Sequence, residues 1–369
     1  MNNAWYTLHN PDDVASPALL VFPERIEQNI QSMLEMAGGP QFLRPHIKTH
    51  KMAEIIQMQL DHGITKFKCA TIGEAELLAT TGAPDILLAM QPVGPNVARF
   101  FNLVGQYPNL KFSCLVDNEK TVDFISLKAK EKHMQAHVYI DINVGMNRTG
   151  ITPGDDAISL YKKIATAHNL SIEGLHVYDG HIRYPKISER KKVCDAAFEE
   201  VISLKRKLEK RGFNVKNIVA GGSPTFPIHA KRDGIVASPG TTLLWDDGYG
   251  SLFTDMPFQC AAVLVTRLIS KPTNEQFCLD LGHKSLASEM AFPRVKFLNT
   301  DDLDQLGQSE EHFVVRPGHP ETHEIGDVYY AIPKHICPTV AKYPRVFTVV
   351  DGLVTGSWRV AARDHKISI

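Results

Sequence analysis

The feature that most constrains the fold is an alternation that runs from residue 18 to about residue 245. Short apolar runs alternate there with longer amphipathic segments, which is the sequence form of strand–helix units. The strand candidates are residues 42–48, 66–71, 85–90, 111–116, 136–143, 172–180, 217–223 and 234–240. The helix-like segments include 25–37, 51–63, 73–80, 118–131, 155–167 and 187–211. Eight parallel strands with intervening helices favour a (β/α)8 TIM-type barrel over an open doubly wound sheet, which has fewer strands.

The alternation of strand-like and helix-like segments ends after Gly250. The runs "FQCAAVLVTRLIS", "FCLDLG", "HFVVRPG", "DVYYAIP" and "RVFTVVDGLVTGSWRV" are β-type and are separated by turn residues. The sequence therefore predicts a barrel over residues 15–250 and a mostly β C-terminal domain over residues 251–369. We expect residues 1–14 to pack with the second domain.

Composition narrows the function classes. The 369 residues include 40 basic and 41 acidic side chains, so no broad positive field exists to bind nucleic acid or a membrane surface. No run of about 18 apolar residues occurs, and the N-terminus lacks a signal-peptide pattern. The six cysteines form no CxxC pair, and most are expected to be buried thiols. We expect a soluble, cytoplasmic protein whose partner is a small molecule.

The segment "RPHIKTHK" (44–51) concentrates titratable side chains at the end of the first predicted strand. Side chains alternate on a strand, so Arg44, His46 and Lys48 are predicted to share the inward face, with Lys51 beyond the turn. A salt-bridged lysine is the alternative interpretation. A lysine in a cation-rich, partly apolar pocket loses proton affinity, however, and becomes a nucleophile able to form a Schiff base with a carbonyl.

Two glycine-bearing turns follow the seventh and eighth predicted strands. They read "AGGSPT" (220–225) and "SPGTT" (238–242), where barrels commonly bind phosphate through backbone N–H groups. Each turn alone is consistent with an ordinary Gly-Pro turn. A reactive lysine together with a phosphate site indicates pyridoxal phosphate or a phosphorylated sugar.

Several spaced motifs resemble one family. "RPHIKTHK", "DINVGMNRTGI", "YDGH", "GGSPT", "SPGTT", "SEEH" and "IPKHICPT" occur in the order typical of the D-threonine aldolase and D-serine dehydratase-like enzymes, relatives of alanine racemase with the fold-type III pyridoxal phosphate architecture. The resemblance implies that Lys48 carries the cofactor, that Arg148 lies near its ring and phenolic oxygen, and that Tyr178 stacks on the pyridine. It also implies four residues around the phosphate: Gly222, Ser223, Gly240 and Thr241.

One position departs from the racemases of this fold. They place an arginine against the pyridine nitrogen just before the Pro-Gly of the eighth strand, and Ser238 stands there in this chain. Without that arginine the ring can accept carbanion charge more fully. Racemisation is therefore disfavoured.

"KHICP" contains a candidate pair of metal ligands. His335 and Cys337 are two apart in a segment read as β-type, so both side chains should leave the same face. A buried histidine beside a structural thiol is the alternative. The resemblance implies a zinc-bearing form of the family, with manganese or magnesium as alternatives, because a thiolate favours zinc over harder ions. With two protein ligands, water or substrate oxygens would complete a catalytic site.

These features predict a pyridoxal phosphate- and metal-dependent lyase. The resemblance implies cleavage of D-3-hydroxy amino acids to glycine and an aldehyde, with His181 as the base for the hydroxyl and His46 and His50 as rivals. The alternative is a dehydratase for D-serine or D-threo-3-hydroxyaspartate. A non-catalytic pyridoxal phosphate carrier is disfavoured by the second domain. The family also implies a head-to-tail homodimer.

Overall fold

The structure is a computed structural model that describes residues 4–369. The strands, in chain order, are β1 (Ala18–Val21), β2 (Lys66–Cys69), β3 (Asp85–Leu88), β4 (Lys111–Val116), β5 (Ala136–Ile142), β6 (Leu170–Val177), β7 (Ile218–Ala220), β8 (Ile235–Ala237), β9 (Ala262–Ser270), β10 (Phe277–Leu279), β11 (Val295–Phe297), β12 (Leu303–Gln308), β13 (Phe313–Pro317), β14 (Val328–Pro333), β15 (Arg345–Val350) and β16 (Leu353–Arg359). The α-helices are α1 (Pro23–Ala37), α2 (Ala53–Asp61), α3 (Ile72–Thr80), α4 (Pro95–Gln106), α5 (Glu119–Glu131), α6 (Asp155–Ala165), α7 (Ile187–Glu209), α8 (Phe226–His229), α9 (Asp247–Leu252) and α10 (Ile336–Val340).

The chain divides into two compact units. The parallel-sheet unit comprises Met33–Lys48, Ile56–Gly240 and Asp364–Ile369. The β-rich unit comprises the described residues up to Ser32, Thr49–Ile55 and Thr241–Arg363. This division differs from the single boundary near residue 250 that the sequence predicts. The reason is β1, which pairs antiparallel with β9 and parallel with β15 and so draws the N-terminal segment into the β-rich unit.

The parallel-sheet unit contains strands β2 to β8, paired in sequence order and all parallel. Seven of the eight predicted parallel strands are therefore confirmed, and the sheet curls as in alanine racemase-like folds. These seven strands do not close into the predicted (β/α)8 barrel. One face of the sheet packs a layer of buried side chains against one another: Leu87, Leu115, Tyr139, Val219 and Val236.

The first predicted strand, residues 42–48, is not a strand. Leu43 and His46 form only single parallel bridges, to Ala237 of β8 and to Lys68 of β2. Pro45 between them has no N–H group to donate to a ladder, which breaks regular pairing at this point. Residues Ile47–Thr49 then form a 3-10 turn. The prediction of an alternating strand through Lys48 was therefore wrong.

The helices follow the amphipathic pattern. All six helix-like segments of the sequence form α-helices. Beyond these, the structure contains the short helices α8, α9 and α10 and the longer α4. This helix begins at Pro95 directly after Gly94, a pair that reads as a turn but is also typical of a helix start. Phe100, Phe101 and Leu103 on its buried face show why tertiary packing stabilises it.

An irregularity in β6 decides which of its side chains face inward. Its pairing with β5 shifts register between Val138 and Tyr139, opposite Gly174, whose φ is +148°. A Cβ at Gly174 would lie 2.0 Å from the carbonyl oxygen of Asn217. Bulges of this kind move the inward-facing set by one residue. As a result both Glu173 and His176 reach inward-facing side chains of β5.

The β-rich unit contains a nine-stranded sheet with the order β12-β13-β10-β9-β1-β15-β16, in which β14 also pairs with β9 and β11 pairs with β14. The five β-type runs predicted after residue 250 are confirmed as strands. The core includes Leu8 and Val14 packed with Val263 and Val265, so part of the N-terminal segment contributes to it. Met1–Asn3 lie outside the described residues. Among residues 4–369, no helix combines the length and apolarity that crossing a membrane requires.

Candidate active site

Three cationic side chains surround one tyrosine in the parallel-sheet unit. Tyr178 follows the last residue of β6. The Nζ atom of Lys48 lies 5.5 Å from the centroid of its ring, that of Lys68 lies 5.8 Å away, and the guanidinium carbon of Arg148 lies 4.8 Å away. The carboxyl ends of parallel strands meet at one edge of a sheet, so residues distant in sequence converge there. The structure thus brings together Lys48, Arg148 and Tyr178, the three residues predicted to contact the cofactor ring.

Lys48 reaches this position from the 3-10 turn rather than from a strand face. Its backbone N–H donates to Nδ1 of the preceding His46, at 3.2 Å, which holds the turn in place. Arg44, predicted to share the face of Lys48, instead forms a bidentate ion pair with Asp85, at 2.9 and 3.0 Å. The predicted cluster on one strand face is therefore divided between a structural arginine and a candidate nucleophile.

The loop that carries Arg148 is fixed by Asn143. The side-chain oxygen of Asn143 accepts hydrogen bonds from the backbone N–H groups of Gly145 and Asn147, each at 3.1 Å. Gly150 has a φ of +99°, and a Cβ there would lie 2.7 Å from the backbone nitrogen of Asn143. The tight "NVGMNRTG" turn therefore requires glycine at this position, and it presents Arg148 at the ring of Tyr178.

The two glycine turns lie where the sequence predicts a phosphate site. A Cβ on Gly222 would lie 2.9 Å from the ring of Tyr178, so only glycine lets this backbone approach the tyrosine. The N–H of Gly240 donates to the hydroxyl of Ser223 at 3.2 Å, which links the turn after β7 to the turn after β8. Thr241 follows Gly240 in the chain and begins a 3-10 turn. The two turns therefore lie together beside Tyr178.

The side chain of Ser238 has a structural role. It is buried, and its hydroxyl donates to the carbonyl oxygen of Arg44 at 2.9 Å. The hydroxyl proton is therefore not available to a pyridine nitrogen. The serine does not take over the function of the racemase arginine as a hydrogen-bond donor.

A buried chain of polar residues lies beside the tyrosine, and the sequence analysis missed it. Nζ of Lys68 lies 3.5 Å from Nε2 of His176, whose Nδ1 lies 2.7 Å from Asp141. Burial lowers the pKa of Lys68 to about 7, assisted by the positive charge of Lys48 and opposed by Asp141 and Asp179. Burial acts to raise the pKa of Asp141, but the hydrogen bond and charge of His176, together with hydrogen bonds from Thr149 and Gln91, lower it. The sequence did contain one signal for this cluster, namely Lys68 within a short strand that was predicted to be buried.

The candidate metal pair lies in the β-rich unit. His335 is the residue before α10 and Cys337 lies in its first turn, so the β-strand reasoning that joined them was wrong. Their side chains nevertheless form a hydrogen bond. Burial opposes the charge on His335, but Cys337 and Glu289 raise its pKa to about 9. Burial opposes the thiolate of Cys337 too, yet His335 lowers its pKa.

The surroundings of this pair fit a cation. Nδ1 of His335 lies 2.6 Å from a carboxylate oxygen of Glu289, an arrangement that commonly orients metal-binding histidines. The hydroxyl groups of Thr49 and Thr241 lie 3.1 and 3.5 Å from the sulfur of Cys337. A thiolate, an imidazole and a supporting carboxylate form a donor set suited to zinc.

Three histidines were candidates for a base. His46 and His50 are buried, and each accepts a backbone N–H through Nδ1, from Lys48 and Met52 respectively. Burial, with the charge of Lys51, lowers the pKa of His50 to about 3. His181 is exposed and lies near Gly145 of the arginine loop, where a Cβ would be 3.4 Å from its Nε2. Of the three, His181 is the one that solvent and a substrate can reach.

Comparison with known proteins identifies the family. Residues 22–246, more than half of the chain, match the family model described as "Alanine racemase, N-terminal domain". The chain belongs to this family. It is the family of fold-type III pyridoxal phosphate enzymes, which confirms the resemblance of the motifs. Residues 261–349 match a second model, described as "Putative serine dehydratase domain".

Individual relatives are similar over nearly their whole length. The chain is 28% identical to a D-threonine aldolase from Arthrobacter sp., over 95% of this chain and 93% of the relative. It is 24% identical to a 3-hydroxy-D-aspartate aldolase from Paracoccus denitrificans, over 95% and 92%. The crystal structure of D-threonine aldolase from Filomicrobium marinum superimposes with a TM-score of 0.88 at 24% identity, covering 98% of each chain. That likeness confirms the fold.

The buried amine of Lys68 makes the stability of the cofactor-free protein depend on pH. A lysine whose pKa is about 7 when folded, against an ordinary value of 10.5, binds fewer protons in the folded state between these values. The free energy of unfolding therefore rises with pH from about 7 to 10.5, and the full cost, on the order of a few kcal/mol, is present below pH 7. Replacing this amine removes the cost.

We predict that Lys68→Met raises the melting temperature relative to the parent protein at pH 6 and raises it less, or lowers it, at pH 9.5. Lys207→Met, which replaces an exposed lysine of α7, is the matched control and should shift the melting temperature equally at both pH values. Thermal unfolding followed by circular dichroism measures both. A Lys68→Met effect that does not change with pH would contradict the depressed pKa.

Proposed function

We propose that the chain is a pyridoxal phosphate- and divalent metal-dependent lyase that cleaves D-3-hydroxy amino acids to glycine and an aldehyde. The observation that carries the proposal is the convergence of the Lys48 amine and the Arg148 guanidinium on the ring of Tyr178, in a chain of a pyridoxal phosphate enzyme family. The choice of substrate rests on the similarity to the relative named D-threonine aldolase.

The residues of the parallel-sheet unit fit this cofactor. Lys48 would hold its aldehyde, Tyr178 would stack on its ring, and Arg148 would face its phenolic oxygen. The glycine turns, with Gly222, Ser223 and Gly240, would surround the phosphate, and Thr241 would add a hydroxyl. Pyridoxal phosphate supplies an electron sink for negative charge at the substrate α-carbon.

His335 and Cys337 would hold the metal, with Glu289 orienting the imidazole. A divalent ion supplies Lewis acidity, which makes a bound hydroxyl group more acidic. Zinc fits a thiolate and an imidazole better than manganese or magnesium does, because both ligands are softer than carboxylate oxygen.

His181 would move the proton that cleavage requires. An exposed imidazole beside the arginine loop can accept the proton of the substrate β-hydroxyl at its Nε2. As that proton leaves, the bond between the α- and β-carbons breaks and the β-carbon departs as an aldehyde. The α-carbon keeps its own hydrogen and takes up one proton from solvent in place of the broken bond, which gives glycine. Lys48 therefore removes no α-proton in this reaction.

A dehydratase is the second candidate function, and the match of residues 261–349 to a serine dehydratase domain favours it. Elimination of the β-hydroxyl from D-serine or D-threo-3-hydroxyaspartate uses the same lysine and metal ligands but breaks different bonds. Lys48 would then remove the α-proton, hydroxide would leave, and the products would be ammonia and a 2-oxo acid.

The assignment of Lys48 is tested by reducing its link to the cofactor. Purified protein should absorb at about 420 nm, as expected of a lysine–pyridoxal phosphate link, and borohydride followed by peptide mapping should place the label on Lys48. Lys48→Ala should lose the absorbance. Lys51→Met, a matched control three residues away, should keep both absorbance and label. Label on Lys51 or Lys68 would refute the assignment.

The assignment of the metal is tested by removing one ligand. Cys337→Ala should lose most of the bound metal, measured by atomic emission, while the absorbance at about 420 nm stays, because the cofactor residues are different ones. Cys278→Ala, which removes another partly buried thiol of the β-rich unit, is the control and should retain the metal. Full activity in metal-stripped protein would exclude the metal from the reaction.

The two reactions are separated by their products and by isotope substitution. We predict glycine and an aldehyde from D-threonine, with little primary isotope effect from deuterium at the α-carbon. His181→Asn should lower kcat by roughly 10²–10⁴-fold, the usual contribution of a general base. Ammonia and a 2-oxo acid from D-serine, with a large α-deuterium effect and no glycine from D-threonine, would instead establish the dehydratase.

A further inference from the structure

A second buried polar cluster lies behind the glycine turn that follows β7. Asp179, the residue after Tyr178, accepts a hydrogen bond from the hydroxyl of Thr225 at 2.6 Å through one oxygen. Its other oxygen lies 2.7 Å from Nε2 of His229. All three residues are almost fully buried, as is Cys194, whose thiol lies 3.6 Å from Asp179. None of these four was predicted as a site residue.

The donors in this cluster are held by hydrogen bonds. The 2.7 Å between Asp179 and His229 is the separation of a charge-assisted hydrogen bond, which leaves a proton between the two atoms. Burial raises the pKa of Cys194 to about 12, so its thiol stays protonated and is a poor metal ligand. Asp179, Cys194 and His229 are grouped closely enough to suggest a metal site, but the proton and the thiol favour a hydrogen-bonded network.

Thr225 bonds to Asp179 instead of capping the helix that follows it. It is the residue before α8, a position at which threonine commonly caps the helix, yet its side chain makes no capping hydrogen bond. Its hydroxyl donates to Asp179 and accepts weakly, at 3.4 Å, from the backbone N–H of Gly222. The hydroxyl thus connects Asp179 to the backbone of the glycine turn.

The glycine turn packs closely against this network. Gly221 has a φ of +82°, and a Cβ on it would lie 2.7 Å from the ring of His229 and 3.0 Å from the hydroxyl of Thr225. A Cβ on the adjacent Gly222 would lie 2.9 Å from the ring of Tyr178. The backbone therefore packs between the tyrosine on one side and the two partners of Asp179 on the other.

We propose that Asp179 is a positioning residue: through Thr225 and His229 it holds the turn Gly221–Ser223 against Tyr178, beside the site proposed for the cofactor phosphate. The inference rests on the proposed function, because it takes pyridoxal phosphate as the ligand. Consecutive residues then serve the two ends of one ligand. Tyr178 contacts the ring, and Asp179 fixes the backbone at the phosphate.

The charge of Asp179 matters as well as its shape. With an aspartate, His229 donates from Nε2, and its Nδ1 has no hydrogen-bond partner among the described residues. With asparagine in its place, one amide orientation sets the N–H₂ group against the imidazole N–H of His229, and the other sets it against the hydroxyl that Thr225 donates. Either orientation removes one of the two hydrogen bonds that Asp179 accepts.

The test compares the binding of pyridoxal phosphate with that of pyridoxal, which lacks the phosphate, to the cofactor-free full-length protein by absorbance titration. Asp179→Asn and Thr225→Val should weaken pyridoxal phosphate binding by about 10-fold or more, the equivalent of 1.4 kcal/mol. Both variants should change pyridoxal binding by less than about 2-fold. Thr225→Ser retains the hydroxyl and should bind pyridoxal phosphate like the parent. Circular dichroism and thermal unfolding check that each variant is folded.

The results of these titrations distinguish a positioning role of Asp179 from a general structural role and from a metal-binding role. Equal weakening toward both ligands would show a general structural role and overturn the inference, as would unchanged binding of pyridoxal phosphate in Asp179→Asn and Thr225→Val. Loss of a stoichiometric metal ion from Asp179→Asn, with metal retained in Cys337→Ala, would assign the cluster as a metal site instead. If Asp179→Asn does not fold, Thr225→Val and Thr225→Ser carry the comparison. Failure of the parent protein to bind pyridoxal phosphate would refute the proposed function, and the inference with it.

Discussion

The parallel pairing of β2 to β8 is the constraint on which the candidate site depends. Because every strand runs in the same direction, the segments that follow the strands lie at one edge of the sheet. Tyr178 after β6, the arginine loop after β5 and the glycine turns after β7 and β8 are brought to the same edge by this pairing. Side-chain hydrogen bonds, such as those of Asn143 in the arginine loop, then fix the loops.

A bulge adjusts this arrangement by one residue. Without the extra residue at Gly174, Glu173 and His176 could not both face the inward side of β5, since strict alternation places odd and even positions on opposite faces. The bulge lets a structural ion-pair cluster at the start of β6 coexist with a histidine and a tyrosine at its end. The glycine that permits the bulge is as necessary to the site as the tyrosine is.

Two buried charged residues, Asp179 and Lys68, lie near Tyr178, and their surroundings stabilise them differently. Asp179 makes two short hydrogen bonds to neutral or cationic donors, so the cost of burying its carboxylate is offset locally. Lys68 has a single long contact, to His176, and lies near two other cations, so its pKa falls. The first arrangement fixes a backbone turn, whereas the second leaves an amine that can titrate near neutral pH. An aldolase and a dehydratase would use this same scaffold, and they differ in which proton is removed.

The sequence by itself determined seven of the eight predicted parallel strands, six helices, the β-rich second domain and the family, because hydrophobic periodicity and spaced motifs are local signals. Other features of the fold and the site depend on long-range contacts, which these local signals do not predict. Pro45 turned the first predicted strand into bridges and a 3-10 turn, and β1 joined the β-rich unit through pairing with strands more than 200 residues away. His335 and Cys337 meet at a helix start rather than on a strand. The buried partners of Lys68 and Asp179 come from other strands and turns, and no local pattern records them, since a long-range contact depends on the packing of the whole sheet.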